Sequence, residues 1–140
     1  MSSASPAPER TCSVDLTLDL AAPRTARNLL DLLLPQWGVR DPDVLDGAAL
    51  VVSELVTHAL VQSDDGGPVS IGAELQEDTL RLWVLDRTPA VPVQRGPRTA
   101  PGDARGLVIV GQIAVRWGVE THPDGLRSYA DIPLLPVPCA

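Results

Sequence analysis

One helix-length stretch restricts the fold more than any other part of the chain. From about Pro42 to Leu60 the residues predict a long helix that is apolar on nearly every side. Its apolar positions are Val44, Leu45, Ala48, Ala49, Leu50, Val51, Val52, Leu55, Val56, Ala59 and Leu60. A helix that is apolar all round has to be buried in a core. The rest of the chain must therefore supply elements that pack around it.

The flanking segments predict those elements. Apolar and polar residues alternate from Val14 to Leu20, which is typical of a half-buried strand. Ala22-Pro23 predicts the start of a first helix, and Pro35 its end. The remaining predicted elements are strands at 69–75 and 79–85, a helix at 106–116 and a closing hairpin at 117–121 and 126–133. This order predicts an α+β two-layer sandwich with a mostly antiparallel mixed sheet and helices on one face.

The 140 residues are enough for one domain, which we place at 13–134. Residues 1–12 are rich in Ser, Ala and Pro and predict a flexible tail, and 135–140 predict a Pro-rich tail. The segment 87–102 is rich in Pro and Gly and predicts a long loop. Loops of that length inside a compact domain are usually functional lids.

Charge and composition exclude several classes of function. The net charge of −7 makes direct binding to nucleic acids or anionic membranes unfavourable. All 11 basic residues are Arg, so no Walker-A or Schiff-base lysine exists. The first ten residues contain no apolar signal-peptide core, and Cys12 and Cys139 lie in no metal-type spacing. We therefore expect a cytoplasmic protein with free thiols, and a disulfide between the two terminal segments is the less favoured alternative.

A polar stripe interrupts the long helix at Ser53, Glu54, Thr57 and His58. Because residues four apart share a helix face, Glu54 and His58 are neighbours. One interpretation is a Glu–His pair on a solvated edge, and another is a cleft wall that carries an acid–base group and a ligand. A zinc site would need a third ligand, and His122 is the only other histidine.

Two further positions fit a binding site. Asp86 ends a predicted strand, where a carboxylate can accept a hydrogen bond from an exocyclic amine or simply start a turn. Gly102-Asp-Ala-Arg-Gly-Leu107 leads into a predicted helix. The free N–H groups of a helix start suit a phosphate, although an ordinary loop-to-helix junction has the same pattern.

Taken in order, these segments resemble the GHKL or Bergerat-fold ATPase domain, and most closely the stand-alone RsbW-like anti-sigma-factor serine kinases. The similarity covers about residues 14–133. The segments that carry it are Val52-Ser-Glu-Leu-Val-Thr-His-Ala59, Trp83-Val-Leu-Asp-Arg-Thr88 with Pro92, Ala104-Arg-Gly-Leu-Val-Ile-Val110, Trp117-Gly118 and Asp124-Gly125.

The resemblance implies a role for each site residue. Glu54 matches the family's general base, and Asp86 matches the aspartate that binds the adenine amino group. Thr88 matches the small residue that supports the base through water. The phosphate-side turn corresponds to Asp103, Ala104, Arg105, Gly106 and Leu107. The loop at 87–102 corresponds to the ATP lid.

The chain departs from the family pattern at three positions. His58 stands where the family has an Asn that binds Mg²⁺, and an imidazole suits transition metals better than Mg²⁺. Ala104 replaces the first glycine of the phosphate turn, where a Cβ hinders positive φ. Leu126 stands where many relatives have a Lys. These departures predict a weakened ATP site and argue against Mg²⁺ at His58.

The resemblance implies an ATP-binding regulatory protein of the anti-sigma-factor type, with a sigma factor or an anti-sigma antagonist as partner. If active, it would be a protein serine/threonine kinase that phosphorylates the antagonist. The alternative is a catalytically degenerate module that senses nucleotide or only binds protein. Because relatives often dimerise, the resemblance also implies a homodimer.

Overall fold

The computed structural model describes residues 10–62, 68–87 and 108–134. Its elements are β1 (Arg10–Thr17), α1 (Ala22–Gln36), α2 (Pro42–Gln62), β2 (Pro68–Leu75), β3 (Thr79–Asp86), β4 (Arg116–His122) and β5 (Gly125–Pro133). A short helical segment at 108–113 precedes β4. The predicted lid beyond Arg87, residues 1–9 and the tail at 135–140 lie outside the described residues.

The five strands form one sheet in the order β1-β2-β3-β5-β4. Every described pair of neighbouring strands is antiparallel. The hairpin between β2 and β3 closes where predicted, with the amide of Gln76 donating to the carbonyl oxygen of Thr79 at 2.8 Å. The α+β class predicted from the order of elements is confirmed.

The core lies between one face of this sheet and the two long helices. The sheet contributes the alternating apolar positions of β2, β3 and β5, while α1 and α2 contribute their buried stripes. Its fully buried large side chains include Leu34, Val51, Val56, Leu80 and Leu82. Because Phe is absent from the chain, this core is built from aliphatic side chains.

Helix α2 crosses the middle of the fold. It begins at Pro42, where the amide of Asp43 donates to Oδ1 of Asp41 at 2.9 Å and so caps the helix. It packs against α1, β3 and β5. The stretch Pro42–Val61 is also long and apolar enough to cross a membrane, a property shared by core helices of globular domains.

Both ends of β1 differ from the sequence prediction. β1 begins at Arg10, inside the segment predicted as a tail, because the pairing with β2 extends to Leu75. Cys12 therefore lies in a strand, as a half-buried free thiol. β1 ends at Thr17 rather than continuing to Leu20, whose side chain is 92% exposed.

Helix α1 does not end at Pro35 but at Gln36. Gly38, with φ of 86°, donates to the carbonyl oxygen of Pro35, and Val39 donates to that of Leu34. These two bonds form a Schellman motif, which satisfies the last carbonyl groups of the helix. The glycine therefore stops the helix, and the proline is tolerated in its last turn.

The helical segment at 108–113 also stops short of the predicted Arg116, which begins β4.

Candidate functional site

The polar stripe of α2 lies at the boundary of the core. Glu54 and His58 are partly buried, and Thr57 is exposed. Ser53 is buried, and its hydroxyl donates to the carbonyl oxygen of Ala49 at 3.0 Å. Glu54, Thr57 and His58, rather than Ser53, are therefore the members of the predicted stripe that solvent reaches.

Asp86 is the last residue of β3, the central strand of the sheet. It is partly buried and lies opposite Val69 of β2 and Leu126 of β5. A carboxylate at the end of a strand that is paired on both sides has a fixed backbone position. Helix α2, which carries Glu54, packs against the same strand.

Gly125 brings the β4–β5 turn against Asp86. Its φ is 153°, and a Cβ at this position would stand 2.0 Å from the carbonyl oxygen of Asp86 and 2.9 Å from Cα of Arg87. Only glycine permits this approach of two backbones. The predicted closing hairpin has Gly125 between its strands, but nothing in the sequence connects this glycine with Asp86. This contact depends on the pairing of β3 with β5. The only local sequence signal for it is the turn dipeptide Asp124-Gly125.

Arg87 fixes the chain immediately after Asp86. Its Nη2 donates to Oδ1 of Asp15 at 3.1 Å and also to Oγ of Ser70. Ser70 in turn donates to Asp15 at 2.9 Å. The hydrogen bond from Ser70, followed by that from Arg87, lowers the pKa of Asp15 below its ordinary value. Side chains of two strands, β1 and β2, therefore hold the residue that follows β3.

The segment at 108–113 lies beside α2. A Cβ at Gly47 of α2 would stand 3.2 Å from Cγ2 of Ile113. The predicted phosphate turn leads into this segment, but Asp103, Ala104, Arg105, Gly106 and Leu107 lie outside the described residues, as does Thr88. Among the predicted site residues, the structure therefore places Glu54, His58 and Asp86.

The described residues do not fit a magnesium site at His58. Mg²⁺ prefers oxygen ligands in octahedral geometry, whereas this position offers an imidazole one turn from the Glu54 carboxylate. Within 10–62, 68–87 and 108–134, no group of three or more His, Cys, Asp or Glu side chains could hold a metal ion.

A cavity of about 210 Å³ lies elsewhere, between α1 and the β1–β2 edge of the sheet. Its lining is largely apolar and includes Leu29, Leu33 and Ile71. Glu54, His58 and Asp86 do not line it. This cavity is therefore separate from the candidate site.

Comparison with known proteins supports the fold. No protein-family model and no curated protein matches the chain. Among solved structures, it is similar to "The crystal structure of the RsbU and RsbW domains of Rv1364c from Mycobacterium tuberculosis". The two share 20% sequence identity with a TM-score of 0.67, and the match covers 92% of this chain.

The match covers 32% of the Mycobacterium tuberculosis chain, so this protein spans about a third of its length. At this identity the similarity is one of fold, and a shared fold does not by itself transfer activity. The chain therefore shares its fold with part of a solved structure whose title names an RsbW domain, the kind of domain that its motifs resemble.

Proposed function

We propose that this chain binds ATP and acts as a regulatory protein of the anti-sigma-factor type. The proposal rests on the position of Asp86 in this fold. The carboxylate ends the central strand, with the backbone of Gly125 on one side and Arg87 anchored to Asp15 and Ser70 on the other. An acceptor held in this way suits an exocyclic amine, which has N–H groups to donate.

Glu54 is the residue that we assign to proton transfer. It lies partly buried on α2, the helix that packs against the strand ending in Asp86. In the kinase form of the proposal, Glu54 takes the proton of a serine or threonine hydroxyl on an antagonist protein. The hydroxyl oxygen bonds to the γ-phosphorus that bound ATP supplies, and the bond from that phosphorus to ADP breaks. Such transfers depend mainly on positioning and charge neutralisation.

A second candidate is a nucleotide-sensing or purely protein-binding module without transfer activity. His58 favours it, because an imidazole replaces the oxygen ligand that the resemblance implies for Mg²⁺. Ala104 favours it as well, since a Cβ restricts a phosphate turn. The kinase and the nucleotide-sensing module share the adenine side of the site and differ on its phosphate side, whereas a purely protein-binding module uses neither.

Calorimetric titration with ATP, with and without Mg²⁺, tests nucleotide binding. We expect binding by the wild type and a loss of about tenfold or more in affinity for Asp86→Ala, because a charged hydrogen-bond acceptor is removed. Asp78→Ala is the matched control, since Asp78 is an exposed carboxylate in the β2–β3 turn. Absence of ATP binding, or equal loss in both variants, would contradict the proposal.

Restoring the family pattern separates the two candidates. The double variant His58→Asn with Ala104→Gly is incubated with labelled ATP, Mg²⁺ and candidate antagonist proteins. Phosphorylation that appears or rises in the double variant, and disappears on adding Glu54→Gln, supports transfer chemistry at this site. Unchanged inactivity together with ATP binding supports the sensing module.

A further inference from the structure

Small residues on two walls create the cavity of about 210 Å³ between α1 and the β1–β2 edge of the sheet. Ala26 of α1 and Ala73 of β2 both line it, and each is buried at a position where a larger side chain would fill the space. In the described part of the chain, α1 packs mainly on α2 rather than on these strands. Because protein interiors contain few voids larger than a water molecule, a space of this size between two layers is unusual.

The cavity is open to solvent on one side. Leu30 of α1 and Val52 of α2 line it and are 6% and 2% exposed. Val14 of β1 and Leu32 of α1 line it as well, and they are 39% and 67% exposed. A molecule can therefore enter between β1 and α1 and reach the core while the sheet stays intact.

The lining favours an uncharged, apolar occupant. None of the described residues that line the cavity carries a charge. Gln36 is occupied with its own helix, because its Nε2 donates to the carbonyl oxygen of Leu32 at 3.1 Å. Ser13 lies on the face of β1 opposite to that of Cys12, whose thiol is only a weak hydrogen-bond donor. Since a buried water needs about three polar partners, this lining suits an apolar molecule better than water.

The volume of the cavity distinguishes between possible occupants. An apolar cavity of about 150 Å³ stays dry and binds benzene. A cavity of about 210 Å³ therefore takes a somewhat larger molecule. One turn of an α-helix, with a diameter of about 10 Å and a pitch of about 5.4 Å, occupies roughly 400 Å³ and does not fit. The dimensions therefore favour a small molecule over a docked helix.

We propose that this cavity binds one small, uncharged, apolar molecule somewhat larger than benzene. The ligand lies against Leu29, Leu33 and Ile71, with the thiol of Cys12 beside it in the wall. Its binding is driven by the removal of apolar surface from water. This site goes beyond the proposed nucleotide site and is independent of it, because neither the carboxylates nor the histidine of that site line the cavity.

The thiol in the wall allows a test at the site itself. In Cys139→Ser, Cys12 is the only thiol of the chain. Its rate of reaction with N-ethylmaleimide is measured in the presence of straight-chain alcohols from 1-butanol to 1-decanol. We expect Cys12 to react without alcohol and to be protected by alcohol in a saturable way. The half-protecting concentration should fall about fourfold per added methylene and stay constant once the cavity is full. N-acetylcysteine under the same conditions controls for effects of alcohol on the reagent.

Two variants change the cavity volume in opposite directions. Ala26→Leu should fill the cavity and raise the half-protecting concentration about tenfold or more. Ala21→Leu is the matched control, since Ala21 is exposed and lies outside the lining, and it should leave that concentration unchanged. Leu33→Ala should enlarge the cavity, so that the constant value is reached only at a longer alcohol. Loss of folding cannot produce this shift, and circular dichroism checks each variant.

Three results would overturn the proposal. The first is a Cys12 that fails to react in the ligand-free protein, because another part of this chain or a second copy would then cover the cavity. The second is a reaction rate that no alcohol reduces in a saturable way. The third is a dependence on alcohol length that is the same as in Cys139→Ser alone when Ala26→Leu or Leu33→Ala is added and the variant remains folded.

Discussion

The two faces of the sheet are held by different interactions. On the face that packs against the helices, Leu80, Leu82 and Val84 of β3 are at most 2% exposed. On the opposite face the same strand carries Arg81 and Trp83, which are partly buried. Neighbouring residues of one strand thus enter an aliphatic core or a polar, aromatic surface, depending only on which side they face.

The second face consists of arginines arranged around aromatic rings and carboxylates. Arg81 lies 4.6 Å from the ring centre of Tyr129 and donates to both oxygens of Asp131, at 2.7 and 3.0 Å. Asp131 is 0% exposed. The hydrogen bonds that Arg81 donates to Asp131 raise the pKa of the arginine above its ordinary value. A buried carboxylate is retained here because arginines satisfy its oxygens.

We infer that hydrophobic burial supplies most of the stability, while the ion pairs position the strands relative to one another. We expect Leu82→Ala to cost the most, about 3 kcal/mol, because it removes a fully buried side chain and leaves a cavity. Chemical denaturation measures this cost. Leu20→Ala, at an exposed position, should lie within about 0.5 kcal/mol of the wild type. Equal costs would remove the distinction between buried and exposed sites.

Asp131→Asn should cost less, about 2 kcal/mol, because it weakens charge-assisted hydrogen bonds without opening a cavity. The comparison is Glu120→Gln, whose side chain is 38% exposed, and we expect its cost to be below about 1 kcal/mol. Both are measured by chemical denaturation at neutral pH. A larger loss from Glu120→Gln than from Asp131→Asn would contradict the importance of burial on this face.

Gly72 tests how closely the second face is packed. A Cβ at this position would stand 2.0 Å from Cζ2 of Trp83, which lies across it from the neighbouring strand. Gly72→Ala should therefore displace the indole and cost about 1 to 2 kcal/mol. In a Trp83→Ala background the same substitution should be close to neutral. A similar cost in both backgrounds would show that the indole is not the obstacle.

Asp15 should give the smallest effect, because it is exposed. Its pKa is lowered in the folded chain, so its stabilising contribution is present above its ordinary pKa of 3.8 and is lost as the pH falls through the folded value. Asp15→Asn should therefore be slightly less stable than the wild type at neutral pH. The difference should disappear in acid. Denaturation at several pH values measures it, and a difference that grows in acid would contradict the assignment.

Local patterns in the sequence predicted much of this fold. The strands predicted at 69–75 and 79–85 and the apolar helix predicted from about Pro42 all correspond to the structure. The start of β1 at Arg10 was missed because strand pairing, not local composition, determines it. The end of α1 was misplaced because the Schellman motif at Gly38 outweighs the breaking tendency of Pro35.

The sequence marks the candidate site residues one by one, but it does not show the contacts that hold them. Glu54 and Asp86 stand out as polar residues on an otherwise apolar helix and at a strand end. The contact of Gly125 with the Asp86 backbone depends on the β3–β5 register, and the anchoring of Arg87 depends on three strands meeting. Such long-range pairings have no signal within a single segment.

We propose that Asp86 recognises the adenine amino group of ATP. The most direct test compares the affinity for ATP with that for inosine 5′-triphosphate, which carries an oxygen in place of that group. We predict that the wild type prefers ATP and that Asp86→Asn loses or reverses this preference, because an amide can donate to the oxygen. A wild type that binds both nucleotides equally, or a preference for ATP that survives in Asp86→Asn, would contradict the account.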